Sequence, residues 1–288
     1  MLKDKTIAVV VPAYNEEKQI GHVIETMPEF VDRIIVVNDN STDATANIVM
    51  QHMEQDGKET IALPNVLDDI KHKTKYNRAD RVVQEQLKKE LKLFPASEVI
   101  SEDNSHHNRI ILINQQKNLG VGAAIARGYK WCKDHGIDCT AVMAGDGQMD
   151  PDELERICKP VVMEGIDYVK GNRLIHRSSL FVIPKIRYFG NSILSILTKI
   201  ASGYWHVSDT QTGYTAISNE ALNSIRLHKI YKNYGMPNDM LVKLNIAFCT
   251  LKEVEIKPVY QVGENSKMKV WKVIPKISWL LFKSFFKR

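Results

Sequence analysis

Four apolar runs in this 288-residue chain each end in a loop rich in groups that bind polar ligands. Val9-Val10-Val11 stops at Pro12-Ala13-Tyr14-Asn15-Glu16, and Ile34-Ile35-Val36-Val37 stops at Asn38-Asp39-Asn40-Ser41-Thr42-Asp43. Thr140–Ala144 runs into Gly145-Asp146-Gly147-Gln148-Met149-Asp150-Pro151, and Tyr168-Val169-Lys170 into Gly171-Asn172-Arg173. Short apolar runs bounded by polar turns read as buried strands, and in an open α/β sheet ligands bind beyond the carboxyl ends of the strands. The chemistry these loops offer concerns hydroxyls, cations and phosphate. Carboxylates accept from hydroxyl and imide or amide N–H groups. A strand-end Asp146 with Gln148 two residues on can supply the one or two protein oxygens that Mg²⁺ or Mn²⁺ takes beside a phosphate. The guanidinium of Arg173 matches phosphate oxygens bidentately, with a surface ion pair as the plainer alternative.

Pro12-x-Tyr14-Asn15-Glu16 followed by Asp39-Asn40-Ser41-Thr42-Asp43 resembles the start of a family 2, GT-A-type glycosyltransferase. The resemblance extends over residues 6–50 and 109–270 and is nearest to the branch that glycosylates dolichyl or polyprenyl phosphate. It implies a GT-A-like (Rossmann-like) α/β fold: a mostly parallel sheet with flanking helices and C-terminal amphipathic helices. It further implies that Pro12 and Tyr14 shape a base pocket, Glu16 meets the ribose and Asp39 hydrogen-bonds the base. Asp146 would serve both donor and metal, and Arg173 would lie over the diphosphate. Asp209-Thr210-Gln211-Thr212-Gly213-Tyr214 resembles the family's acceptor-side loop, with Asp209 catalytic and Gln211 on the acceptor. Arg187 and Lys267 match acceptor positions of the polyprenyl-phosphate branch, and Asp239 is a weaker acid candidate. One departure stands out: the family's usual Asp-x-Asp-Gly-Gln has Ala144 at its first acid here.

Charge separates the possible acceptors. A hydroxyl must lose its proton as it attacks, so it requires a carboxylate base. A lipid phosphate is already ionised and needs cations to bring two anions together, a task for Arg173, Arg187 and Lys267. In the first case Asp209 would be the base; in the second it would orient other groups. The second is preferred, giving inverting transfer from a UDP- or GDP-sugar to a polyprenyl phosphate at the cytoplasmic membrane face. A sugar hydroxyl of a glycan or surface polysaccharide is the alternative acceptor. A non-catalytic nucleotide-sugar-binding protein of the same fold is a further alternative, suggested by Ala144. Asn118-Leu119-Gly120-Val121-Gly122 faintly resembles a dinucleotide fingerprint, but Ile125 takes the third glycine position, so close helix–sheet packing explains these glycines better.

The elements that must hold these residues follow from the pattern. Strands are expected at 6–11, 34–37, 110–113 and 140–144. Helices are expected at Glu16–Met27, Thr42–Met53, Gly122–Lys133 and Asp152–Glu164, the last opened by Pro151. Residues 54–108 break the rhythm and read as a charged insertion with one amphipathic helix at about Arg78–Phe94, its apolar face Val82, Val83, Leu87, Leu91 and Phe94. Residues 178–205 form an apolar, aromatic region crossed by Lys185, Arg187 and Lys199, and Tyr234–Asp239 reads as a loop. The glycosyltransferase domain is placed at 1–260. A basic amphipathic tail at 261–288 either lies on a membrane surface or docks on the protein's own core.

Net charge is +5, and no acid follows Glu264 among the lysines of that tail, which suits an anionic surface. Cys132, Cys139, Cys158 and Cys249 lack metal-site spacing and read as free thiols of a cytosolic protein. No signal pattern opens the chain, and no window approaches the ~18 uninterrupted apolar residues of a spanning helix. The partners expected are therefore a nucleotide-sugar donor, a polyprenyl phosphate and a membrane surface. No nucleic acid is among them, and the oligomeric state stays open.

Overall fold

The computed structural model describes residues 2–56, 74–100, 108–183, 185–259 and 270–286. Its centre is an eight-stranded sheet: β1 (Ile7–Ala13), β2 (Arg33–Asn38), β3 (Ser97–Ile100), β4 (Ile110–Gln115), β5 (Cys139–Val142), β6 (Tyr168–Asn172), β7 (Thr215–Ser218) and β8 (Leu251–Glu255). The order across the sheet is β3-β4-β2-β1-β5-β7-β6-β8. Strands β4, β2, β1 and β5 are parallel neighbours, as are β6 and β8; β3 and β7 run antiparallel to their partners.

Continuous apolar runs are required because both faces of the central strands are covered. The period of two then decides which face each residue serves. Ala8, Val10, Ile35, Val37, Ile111 and Ile113 pack into one core layer, and Ile7, Val9, Val11, Ile34, Val36, Ile110 and Leu112 into the other. Helix α1 (Ile20–Glu25) and α2 (Thr45–Gln55) cover the second layer; α4 (Val121–Asp134) and α8 (Asn219–Ser224) cover the first. Gly128 of α4 makes the closest approach. A Cβ there would stand 2.4 Å from Val10 Cγ1, so only glycine lets the helix lie this near β1.

Between α2 and β3 lies α3 (Arg78–Leu91), whose Val82 and Val83 are exposed although the periodicity assigns them to a packed face. Phe94, just beyond the helix, is the residue that enters the core. Helix α5 (Leu154–Glu164) follows a single turn of 3₁₀ helix at Pro151–Glu153, for which Asp150 is the cap, accepting Asp152 N–H at 3.0 Å. The expected helix at Glu16–Met27 is shorter than its pattern, because residues 14–19 form a loop bonded to the one after β2 instead. Tyr234–Asp239 is not all loop: α9 (Met236–Ile246) starts inside it, with Pro237 in its first turn.

The apolar region after residue 178 folds as α6 (Ser179–Val182) and α7 (Lys185–Ser202), and the chain's last described element is α10 (Val270–Phe285). Ile277 and Leu281 of α10 are buried against Leu194 and Ala201 of α7 and Val242 of α9. Its other face leaves Trp279, Phe282, Phe285 and Phe286 exposed. Among the described residues no helix is long and apolar enough to cross a membrane. All four cysteines are buried free thiols.

Candidate active site

The parallel strands β1, β2 and β5 deliver their following loops to one edge of the sheet, and antiparallel β7 begins at that same edge. Val142 and Lys170 both pair with Thr215, so the segment before β7 lies level with the ends of β5 and β6. The antiparallel strand thereby brings the 208–214 loop beside the strand-end loops.

The loops after β1 and β2 are knitted together by a reciprocal set of backbone-to-side-chain bonds. Asn15 N–H donates to Ser41 Oγ at 2.9 Å, and Thr42 N–H returns to Asn15 Oδ1 at 2.9 Å. Glu16 N–H donates to Thr45 Oγ1 at 2.9 Å, and Glu17 and Ala44 are joined through Asp43 and the Glu17 carboxylate. Asn15 and Asn40 both have positive φ, 53° and 59°, a conformation Asn tolerates better than most residues. Glu16 is buried in this junction, Pro12 is buried in β1, and Tyr14 stays exposed above it.

Asp39 fixes a third loop. Its carboxylate accepts Leu119 N–H at 2.9 Å and Gly120 N–H at 2.8 Å, while its own N–H donates to Ala13 O at 2.9 Å. Gly120 holds φ 96°, with Asn233 Oδ1 2.5 Å from where a Cβ would stand, so this contact requires glycine. Burial raises the Asp39 pKa above the ordinary carboxylate value, and the two N–H bonds pull against that shift. Both carboxylate oxygens thus organise the protein, which the sequence did not reveal.

Next along the edge is the turn after β5. Gly145 N–H donates to Pro12 O at 3.2 Å, placing Asp146 beside the first loop. Asp146 Oδ1 accepts Gln148 N–H at 3.0 Å, and both residues are partly exposed. Among the described residues no group of three or more His, Cys, Asp or Glu side chains stands ready to hold a metal. The donor chemistry nevertheless fits Mg²⁺ or Mn²⁺, which needs one or two protein oxygens when phosphate and water complete the shell. Ala144 leaves its place in the turn to a backbone contact, its N–H reaching Met149 Sδ at 3.2 Å.

The turn is tied onward to the acceptor-side loop: Tyr214 Oη donates to Asp150 O at 2.9 Å, and Gly171 N–H donates to Tyr214 O at 2.9 Å. Here Arg173 and Asp209 hold each other. Nε and Nη2 of Arg173 donate to the two Asp209 oxygens at 2.8 and 3.1 Å, and Arg173 N–H adds a third bond at 3.2 Å. The Arg173 side chain is 22% exposed and that of Asp209 is fully enclosed. Burial alone would raise the Asp209 pKa; the Arg173 charge and bonds, helped by Lys170, outweigh it and hold the carboxyl below its ordinary value. Gln211 N–H and Thr212 N–H also donate to Asp209 Oδ1, each at 3.2 Å.

Two residues without a sequence-derived role complete this corner. Glu253 of β8 accepts Ser208 N–H at 2.9 Å, Asp209 N–H at 3.1 Å and Asn172 Nδ2 at 2.7 Å. Lys170 is wholly buried and donates to Thr212 O. A lysine in an apolar strand two residues before Gly171-Asn172 ends was the one available signal for it. Of the remaining candidates, Arg187 falls in the first turn of α7 with its side chain outside the described residues, as is Lys267 altogether. Asp239 is buried in α9, where it pairs with Lys243 and accepts Tyr231 N–H at 2.8 Å.

Interlocked strand-end loops around an acid-bearing turn, on a mostly parallel sheet, are the arrangement of a GT-A-like fold. The glycosyl transferase family 2 model matches residues 8–65 and 96–226, more than half the chain, and the protein belongs to that family of glycosyltransferases. Residues 66–95, which include α3, lie outside the match. The chain is similar to the UDP-N-acetylglucosamine–dolichyl-phosphate N-acetylglucosaminyltransferase of Methanococcus voltae, 29% identical over 265 residues, covering 90% of this chain and 88% of that one. It is similar to an undecaprenyl-phosphate mannosyltransferase of Micrococcus luteus, 28% identical over 169 residues, 58% of this chain and 67% of that one. Its fold matches glucosyl-3-phosphoglycerate synthase from Mycobacterium tuberculosis, solved with Mn²⁺, UDP and glucosyl-3-phosphoglycerate. That match has a TM-score of 0.58 and 16% identity, over 99% of this chain and 80% of the other.

Proposed function

We propose that this glycosyltransferase moves a sugar, with inversion, from a nucleotide-diphosphate sugar to a polyprenyl or dolichyl phosphate at the cytoplasmic face of a membrane. The observation that carries the choice of acceptor is the state of Asp209. It is fully enclosed, accepts five hydrogen bonds counting both arms of Arg173, and has its pKa held below the ordinary carboxylate value. Such a carboxylate is a poor proton acceptor, because a general base works best with a pKa near the operating pH. A phosphate nucleophile asks for no base, and the relatives in Methanococcus voltae and Micrococcus luteus are named for dolichyl-phosphate and undecaprenyl-phosphate acceptors.

On this reading Pro12, Tyr14, Glu16 and Asp39 receive the nucleoside, with Asp39 doing so by holding the 118–120 loop in place as well as by offering an acceptor. UDP is the nucleotide named in the Methanococcus voltae relative, with GDP the second possibility. Asp146 and Gln148 would hold Mg²⁺ or Mn²⁺, which would supply charge stabilisation to the departing diphosphate. Arg173 turns toward phosphate oxygens, and Arg187, Gln211 and Lys267 serve the acceptor. A lipid chain would lie along exposed apolar residues of α6 and α7: Phe181, Val182, and Ile193, Ile196 and Ile200, which recur three and four residues apart.

Asp209→Asn tests the acceptor directly. With polyprenyl phosphate as acceptor, kcat should fall by less than about tenfold, since no base is lost. Loss of the ~10²–10⁴-fold that a general base supplies would support the hydroxyl acceptor instead.

A further inference from the structure

Four charged side chains gather behind the 208–214 loop. Arg173 stands at the mouth, and Asp209 lies enclosed beneath it. Lys170, 0% exposed, is the register partner of Glu253 on the neighbouring parallel strand. Lys170 and Asp209 grip the two ends of one residue: Lys170 Nζ donates to Thr212 O, and Thr212 N–H donates to Asp209 Oδ1 at 3.2 Å. Glu253 braces the same loop through Ser208 and Asp209 N–H and spends its other oxygen on Asn172.

If Arg173 binds phosphate, as proposed above, its guanidinium must leave a carboxylate that has no access to water. An enclosed charge stripped of its partner costs several kcal/mol, enough to keep Arg173 where it is. A second cation already sits within the same enclosure, placed there by β6 itself. We propose that Lys170 is a positioning residue. It carries the charge of Asp209 while Arg173 turns to the donor diphosphate, and so keeps the guanidinium available to substrate. With Arg173 at home two cations face two carboxylates; when it turns away, Lys170 is the cation left beside Asp209 and Glu253.

A double-mutant cycle on UDP binding in the presence of Mn²⁺, followed by calorimetry with GDP as a second arm, tests this. Arg173→Ala should weaken binding about tenfold or more, as loss of a charge-assisted phosphate contact does. Lys170→Met, which keeps the stem's bulk, should weaken it about fivefold in the presence of Arg173 and by less than about twofold in the Arg173→Ala background, because its effect passes through Arg173. Unchanged binding in Arg173→Ala would overturn the phosphate role of Arg173 and this proposal with it. A normal Arg173→Ala result with no effect of Lys170→Met, or an equal effect in both backgrounds, would overturn the role of Lys170 alone. Should Lys170→Met fail to fold, Lys170→Met/Asp209→Asn removes both buried charges together. That variant should bind UDP within about threefold of wild type, whereas binding as weak as Arg173→Ala would contradict the proposal.

Discussion

Asp146 is the only acid in its turn before Asp150, and Asp150 is committed to capping the 3₁₀ helix. A single carboxylate fits a cation completed by diphosphate and water, so Asp146→Asn should lower kcat by more than about 100-fold without lowering the melting temperature. Retained activity would refute the metal assignment. Conversely, Ala144→Asp should reduce the Mn²⁺ concentration for half-maximal rate several-fold, by adding the missing oxygen ligand. Lys170 adds a pH dependence. Burial, helped by the Arg173 charge just beyond the strand, lowers its pKa to about 8 against the opposing pull of Asp209 and Glu253. It is therefore charged below about pH 8 and neutral above, so the second cation for Asp209 is present at neutral pH and lost on the alkaline side. Measured UDP affinity should fall as pH rises through that value in the wild type and stay flat there in Lys170→Met.

At the scale of elements, close approach sets the strictest demands. Gly128→Ala places a methyl 2.4 Å from Val10 Cγ1 in the middle of β1. Overpacking of that kind costs roughly 1–3 kcal/mol, measurable as a shift in the denaturation midpoint. A neutral result would mean that α4 is free to move off the sheet. Much of the sheet was readable beforehand, because β1, β2, β4 and β5 are buried on both faces and must be continuously apolar. Strand β7 was not: four residues, Thr215-Ala216-Ile217-Ser218, carry too little pattern, and pairing with β5 and β6 makes them a strand. Gly235-Met236-Pro237-Asn238-Asp239 carries turn chemistry that doubles as a helix start, which is why α9 read as a loop. In the site, Asp39, Asp146 and Arg173 were legible since each follows an apolar run. Lys170 and Glu253 were hidden because a charge inside a strand ordinarily signals a solvent face. Only the pairing of β6 with β8 puts these two opposite each other.

For the whole molecule, the C-terminal helix docks on the protein's own core, one of the two readings of its pattern. Ile277 and Leu281 seal it onto α7 and α9, while Trp279, Phe282 and Phe286, three and four residues apart, face outward with Lys283 over the Trp279 ring at 5.1 Å. An exposed aromatic stripe beside lysines suits the interface of an anionic membrane. Phe282→Glu/Phe286→Glu should therefore reduce cosedimentation with vesicles containing anionic lipid about fivefold or more while leaving the melting temperature unchanged. Equal binding by the variant would remove α10 from the membrane contact. Ile277→Glu, by contrast, should destabilise the fold, since it buries a charge against Leu194 and Val242.

The central proposal is a phosphate-bearing lipid as acceptor, and one assay addresses that claim directly. Purified protein is incubated with radiolabelled UDP- and GDP-sugars and Mn²⁺, alongside polyprenyl phosphate, the corresponding polyprenol, or a glycan acceptor. Label should enter the organic phase with polyprenyl phosphate alone. Label that stays aqueous with every lipid but moves onto the glycan would contradict the account.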